Sequence, residues 1–342
     1  MSISQLQEDI VTEPAPTSDP VLIEADHVTI AFATDEGYAE VLQDVTLSVR
    51  RGESVGLVGE SGSGKSVTCK AMLGRIDPGG RLASGDVLWE GRSLLKGGGG
   101  RHLREVRGRR MATIPQDPMT ALDPVFTVGY QIQEVCRHIR GMNRKQARAR
   151  AIELLELVGV PSAETRLKQY PHEFSGGMQQ RVLIAMALAA EPDLIIADEP
   201  TTALDVTVQG QILQLLRSLK DRLGLSLMLV THDLGVVAEV CDRVLVMYGG
   251  RIVEEGSSDQ IFNRPLHPYT QGLLASTPRA DLKTTERLEG IPGVPPSPYA
   301  RPEGCSFRPR CPRATETCLQ TPPLEPMGDG QVACWHAEGA FS

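Results

Sequence analysis

Aromatic residues are scarce in this 342-residue chain, 4% of the total, which leaves no stacking platform for nucleic-acid bases. A cationic excess is missing too: the formal net charge of −8 argues against a general nucleic-acid binder. Long hydrophobic runs are absent. The longest, residues 182–190, falls far short of the ~20 residues that span a bilayer, so service to a membrane would go through a partner. The N-terminus is polar and acidic, with Glu8, Asp9 and Glu13, and does not read as a signal peptide. The seven cysteines thus lack a secretory context, and a disulfide framework is not expected. What remains is the composition of a soluble globular protein, hydrophobic 41% and charged 23%, at a length that suggests roughly two domains.

What is present in full is an eight-residue pattern. Residues 59–66 read Gly-Glu-Ser-Gly-Ser-Gly-Lys-Ser, with every fixed position of the P-loop filled. An apolar run, Ser54–Val58, precedes it and helix-compatible residues 67–72 come after it, so the expected context is strand, loop, helix. Glycines let the backbone aim several N–H groups at one phosphate chain, and the helix N-terminus adds a favourable dipole. Gly59, Ser61, Gly62, Ser63, Gly64, Lys65, Ser66 and Val67 would wrap the phosphates. Lys65 would reach the β- and γ-phosphates and Ser66 would ligate Mg²⁺. The plain alternative, a glycine-rich surface loop, does not account for these flanks. The chain is expected to bind a nucleoside triphosphate.

Residues 1–20, with Pro14, Pro16 and Pro20, read as a disordered lead. Strands are expected at 28–32, 45–49, 54–58 and 86–89. The glycine run within 96–101 reads as a flexible loop tip, with a solvated basic flank to Arg110. From 130 to 159 the pattern turns helical, with Ala147, Ala151, Leu154, Leu155 and Val158 at helical spacing. Strand patterns return at 194–197, 227–230 and 244–247. The order strands, helical insert, strands suits a mostly parallel sheet interrupted by a helical subdomain. Past Gly256 the character changes: ten of the 24 prolines lie between Pro292 and Pro326, so regular structure there should be sparse.

Residues 194–199, Leu-Ile-Ile-Ala-Asp-Glu, form an apolar strand ending in two carboxylates. Such a strand delivers Asp198 to the phosphates as a Mg²⁺ partner and leaves Glu199 able to polarise a water for attack on the γ-phosphorus. Alone, the segment would read equally as a strand with an acidic end. Residues 174–181, Phe-Ser-Gly-Gly-Met-Gln-Gln-Arg, precede an apolar helix. Ser175 suits an N-cap, yet Ser-Gly-Gly at a helix N-terminus is also an anion site. A second phosphate cradle makes sense if two chains share each nucleotide.

With these motifs in view, the sequence resembles the ATPase subunit of ABC transporters over residues 21–260. Ser175, Gly176 and Gly177 resemble the family's signature motif, with Met178 in place of the usual Gln. Gln116 resembles the Q-loop glutamine, Asp205 of Ala203-Leu-Asp205 the D-loop aspartate, and His232 of Thr231-His-Asp the switch histidine. The resemblance implies an α/β fold: a P-loop NTPase (RecA-like) core with an antiparallel β subdomain, an inserted helical subdomain at about 117–190, and a Cys-rich C-terminal extension. It implies catalytic roles for Glu199, His232 and Gln116, Mg²⁺ ligation by Ser66, Gln116 and Asp198, and an adenine-stacking aromatic for which Phe32 is the candidate and Tyr38 the reserve. Phe32 reads equally as a core residue.

Cys305, Cys311, Cys318 and Cys334 are spaced C-x₅-C-x₆-C-x₁₅-C in a proline-rich stretch that would hardly fold alone. A metal centre would supply the cross-link. The short C-x₂₋₄-C pairs usual for zinc are absent, and the wider spacing suits a [4Fe–4S] cluster better. Zinc, with His336 as a substitute ligand, and unliganded thiols stay open. Cys69, Cys136 and Cys241 read as core. His267-Pro-Tyr-Thr270, Leu273-Leu274 and the cysteine array resemble the extension, residues 261–342, of the peptide/nickel import group, whose D-type dipeptide or oligopeptide permease subunits the chain matches best. Pro115 departs from the Phe common before the Q-loop Gln. The resemblance implies a second, non-identical ATPase, two permeases, an extracytoplasmic solute-binding protein, no nucleic acid, and a peripheral place on the cytoplasmic face of the membrane. A nickel or glutathione importer is the alternative. A soluble ABC protein acting on nucleic acid or ribosomes is less favoured, because tandem cassettes and long insertions are missing. A metabolic P-loop kinase leaves Ser-Gly-Gly without a role.

Overall fold

Four short apolar runs are buried almost end to end, and together they build the middle of one sheet. In the computed structural model, which describes residues 20–96, 100–202, 204–276 and 290–337, the chain runs β1 (Val21–Thr34), β2 (Gly37–Arg50), β3 (Ser54–Val58), α1 (Lys65–Met72), β4 (Gly80–Trp89), β5 (Arg92–Ser93), α2 (Gly100–Val106) and β6 (Met111–Ile114). A helical insert comes next: α3 (Pro118–Ala121), α4 (Val128–Arg140), α5 (Arg144–Leu157), α6 (Ala163–Arg166) and α7 (Gly176–Ala189). The chain then returns through β7 (Leu194–Asp198), α8 (Val206–Leu223), β8 (Ser226–Thr231), α9 (Leu234–Val240), β9 (Arg243–Tyr248) and β10 (Arg251–Ser257). It ends with α10 (Ser258–Asn263), α11 (Pro268–Ala275), β11 (Glu325–Met327) and β12 (Gly330–Val332). The lead expected at residues 1–20 lies, up to residue 19, outside the described residues, as does the centre of the glycine run.

Among the described residues the larger sheet has eight strands in the order β11-β12-β10-β9-β3-β8-β7-β6. Strands β6, β7, β8, β3 and β9 are parallel neighbours, while β10, β12 and β11 continue the sheet antiparallel. Strands buried on both faces need continuous apolar sequence rather than alternation, which is what β3 and β8 have. The smaller sheet, β2-β1-β4-β5, is antiparallel. Successive side chains of β3 point to opposite faces: Leu57 joins the core beneath the smaller sheet and α1, and Val58 joins the core shared with the helical insert.

The insert's helices are locally specified. Thr127 caps α4, whose end is Gly141 in the left-handed region at φ 67°. Asn143 and Gln146 form a reciprocal capping box on α5. Strand β6 is absent from the sequence-based expectation: four residues after an arginine-rich run give no period to read, and the strand exists by pairing with β7, Met111 opposite Leu194. The proline-rich C-terminal part contains short 3₁₀ turns and two three-residue strands. It is not detached from the rest. Strand β12 pairs with β10, and Phe307 and Tyr269 are buried in the core shared with the insert.

Candidate nucleotide site

The parallel strands β3, β7 and β8 end at one edge, so the loops that leave them meet there. After β3 comes the glycine loop. Gly59 has φ 154°, and a Cβ on it would stand 2.2 Å from the carbonyl oxygen of Met247, so only glycine fits. Gly62 and Gly64 also have positive φ. The loop curls around the buried Lys65, whose Nζ donates to the carbonyls of Gly59 (2.7 Å) and Glu60 (3.0 Å). Burial pushes the Lys65 pKa down, opposed by the charges of Glu199, Asp198 and Glu60. Ser63 Oγ is buried without a hydrogen-bond partner among the described residues.

β7 delivers Asp198, half-buried, with its pKa raised by burial and by the neighbouring charge of Glu199. Glu199 comes next with φ 47°, a left-handed conformation uncommon outside glycine and a form of strain that clusters at functional sites. Its backbone N–H donates to Val230 of β8 (2.7 Å). Its carboxylate accepts from Gln116 Nε2 (3.0 Å) and Thr202 Oγ1 (2.9 Å), and its other oxygen lies 3.2 Å from His232 Nδ1. Gln116, Glu199 and His232 line, together with the P-loop, a cleft of about 980 Å³, whereas Asp198 and Thr202 stand behind its wall. Phe32 and Val41 contribute from the smaller sheet, and Ile291, Pro298 and Tyr299 from the C-terminal part. Phe32 therefore lies on the cleft wall. Tyr38 is exposed elsewhere, with the Arg81 guanidinium 3.7 Å over its ring.

Ser175, Gly176, Gly177 and Asp205 stand apart: none of them lines this cleft. Ser175 opens α7, but its hydroxyl makes no capping hydrogen bond, so it is free for another acceptor. Gly177 packs against α8, and a Cβ there would stand 2.5 Å from Val208 Cγ1. Asp205 caps α8 by accepting from the Val208 N–H (3.0 Å). Ala203 lies outside the described residues.

In the C-terminal part, backbone N–H groups of Arg313 and His336 donate to the thiols of Cys311 and Cys334, each at 3.4 Å. Burial pushes the Cys305 thiol pKa up, and its backbone carbonyl accepts from the Arg308 N–H at 3.0 Å. Burial raises the Cys334 pKa to about 11, with added contributions from the nearby Cys305, Cys311 and Cys318. No group of three His, Cys, Asp or Glu among the described residues is drawn together as a site for one ion. His336 Nε2 pairs with Thr315 Oγ1 at 2.7 Å. Cys69, Cys136 and Cys241 are buried, as expected of core residues.

Two family models match: ABC transporter over residues 42–202 and oligopeptide/dipeptide transporter, C-terminal region, over residues 253–318. The oligopeptide transport ATP-binding protein OppD of Salmonella typhimurium is 46% identical over 96% of this chain and 97% of its own length. The chain belongs to the oligopeptide/dipeptide branch of the ABC transporter family. The dipeptide transport ATP-binding protein DppD of Haemophilus influenzae is 47% identical over 92% of this chain and 94% of its length. Among solved ABC structures, the dimeric post-hydrolysis cassette MJ0796 bound to ADP and Pi matches with TM-score 0.61 and 28% identity, over 69% of this chain and 98% of that one. CbiO1 of Clostridium perfringens, part of the transporter complex cbiONQ, matches with TM-score 0.61 and 25% identity, over 71% and 91%.

Nothing in the sequence marks four residues here as neighbours of the nucleotide site. Thr202 is unremarkable in a run of threonines. Tyr299 lies in a proline-rich stretch. Glu60 occupies a variable position of the P-loop, and Tyr269 stands out only as part of His267-Pro-Tyr-Thr270. Yet the Tyr269 hydroxyl accepts from the Glu60 N–H at 2.8 Å.

Proposed function

We propose that this chain hydrolyses ATP to ADP and phosphate to power peptide import through a membrane-embedded permease. What supports the reading is that Lys65, Gln116, Glu199 and His232, from four separated chain segments, line one cleft in a chain 46% identical to a protein named for oligopeptide transport. Gly59 to Val67 wrap the phosphates. Lys65 turns from its loop carbonyls to the phosphate oxygens, and Phe32 stacks the base. Glu199 accepts a proton from the attacking water, and His232, at the same carboxylate, keeps water and phosphate in line. Ser66, Asp198 and Gln116 are oxygen donors suited to Mg²⁺, a hard cation, which when bound neutralises phosphate charge.

Ser175, Gly176, Gly177 and Asp205 act across a dimer, on the nucleotide held by a second, non-identical ATPase. Their absence from this chain's own cleft supports that reading, as does the dimer named for the MJ0796 cassette. Permease contact falls on the insert beside Gln116. There Met119 (77% exposed), Val125 (70%), Phe126 and Tyr130 form an apolar face with the last two rings stacked. No helix among the described residues is long and apolar enough to cross a membrane, which suits a peripheral subunit on the cytoplasmic face that serves two permeases and a solute-binding protein. The chain then divides into a lead to residue 20, the ATPase from 21 to 260 and the extension from 261 to 342.

Cys305, Cys311, Cys318 and Cys334 fit a [4Fe–4S] cluster. N–H groups directed at two of the thiols, Cys311 and Cys334, support it, since such bonds favour thiolate ligands. The cluster would cross-link the extension. The transport reading is tested by reconstituting the chain with its permeases and measuring ATP hydrolysis with and without peptide-loaded binding protein. Peptide stimulation is expected; stimulation by nickel or glutathione instead would reassign the solute.

A further inference from the structure

The second P-loop position is an acid, and the extension covers it. Glu60 comes directly after Gly59 and lines the ATP cleft, and its carbonyl accepts from Lys65 Nζ. Left alone, a carboxylate there would repel the polyanionic phosphate chain. It is not left alone. Arg310, set between Cys305 and Cys311 and only 4% exposed, grips it with both arms: Nη1 to Oε2 at 2.6 Å and Nη2 to Oε1 at 3.0 Å. The guanidinium is itself fixed by the carbonyls of Pro292 (Nε, 2.8 Å) and Ile291 (Nη2, 3.1 Å) and by the Tyr248 hydroxyl (3.3 Å). All three groups face the same buried spot, so Arg310 has little freedom to leave unless its loop leaves. Such a planar, two-pronged pair is the strong form of ion pair.

We propose that Arg310 is a positioning residue for ATP binding: by neutralising Glu60 it makes the P-loop receptive to a triphosphate only while the cysteine-bearing loop is docked. The proposal rests on the reading that this cleft binds ATP, but on no metal in the extension. Displacement of the loop carries the arginine away and restores a bare carboxylate beside Lys65. The ATP affinity of the subunit thus reports the state of a segment 250 residues along the chain.

The decisive measurement is binding of a fluorescent ATP analogue to the purified full-length chain, with melting curves as a fold check. Lys65→Ala serves as the reference that separates failure of the ATP reading from failure of this one: wild type should bind and Lys65→Ala should not. Arg310→Met should raise Kd by about tenfold or more, the order expected for one uncompensated charge near the phosphates. In the Glu60→Gln background the same change should alter Kd by less than about twofold, because no carboxylate remains to neutralise. A merely structural arginine would weaken binding equally in both backgrounds. Should Arg310→Met fail to fold, Arg310→Lys replaces it in the same pair of backgrounds, with a smaller loss that the Glu60→Gln change again removes. In the assembled transporter the KM for ATP should rise while kcat holds. Unchanged affinity in the arginine variants, or equal losses in both backgrounds, overturns the proposal.

Discussion

The two glycine-bearing helix starts of this protein look alike in sequence and differ in their surroundings. At α1 the loop is enclosed by its own chain: Lys65 is bonded to loop carbonyls, Glu60 is paired with Arg310, and the smaller sheet and the extension wall the cleft. At α7 the start is open. Ser175 and Gly176 are exposed, and the Ser175 hydroxyl caps nothing. A helix N-terminus with bare N–H groups and no local partner is half of a site. On the function proposed above, the first start holds a ligand within one chain and the second meets a surface brought by another.

The largest effect should come from the first region. Glu199→Gln keeps the shape of the side chain and removes the base, so hydrolysis in the assembled transporter should fall by roughly 10²–10⁴-fold, with ATP binding retained. Wild-type turnover in that variant would remove Glu199 from the mechanism.

The second region should show its loss only where a partner subunit is present. Gly177→Val would drive a side chain toward Val208, already 2.5 Å from a bare Cβ, and disturb the open helix start. ATP binding to the isolated chain should be untouched, while partner-dependent hydrolysis falls by roughly 10²-fold, the scale of losing one oriented donor. Loss of ATP binding by the isolated chain would erase the contrast between the two starts.

The extension sharpens the comparison. If the four thiols hold the proposed cluster, Cys318→Ser should abolish brown colour and iron content in protein prepared without oxygen, and lower the melting temperature, since the cluster would supply the cross-link. Iron-free wild-type protein with one zinc would reverse that assignment.

The last effect is on stability rather than turnover and concerns His267, fully buried, with Nδ1 accepting the Tyr269 N–H at 3.0 Å. Burial alone lowers its pKa to about 3. The native chain therefore keeps it neutral while the unfolded chain protonates near pH 6.5, so stability is present above that pH and is lost as pH falls from about 6.5 toward 3. The slope should approach ~1.4 kcal/mol per pH unit. His267→Asn, which can still cap α11, should remove that part of the slope in denaturant titrations. An identical pH profile for the variant would mean that the imidazole is protonated in the fold.

Much of this is legible in the sequence because it is local. The glycines, Lys65 and Ser66 stand within eight residues, β3 announces itself by its apolar run from Val55 to Val58, and Asp198 and Glu199 end another such strand. Helices α4 and α5 carry their own caps in Thr127, Asn143 and Gly141. Chain periodicity could not reveal β6, which depends on β7 for its pairing, nor β12, a three-residue strand held between β10 and β11.

The sequence by itself determined that a phosphate loop, a carboxylate strand and a Ser-Gly-Gly helix start exist, since each arises from residue types within a few positions of one another. The tertiary structure alone decided which of them share a cleft, that Phe32 rather than Tyr38 stands on its wall, and that Arg310 lies on Glu60. Those pairings join residues far apart in the chain. They are fixed by strand order and by the packing of the extension, and no local pattern encodes a contact whose two halves meet only after the sheet has formed.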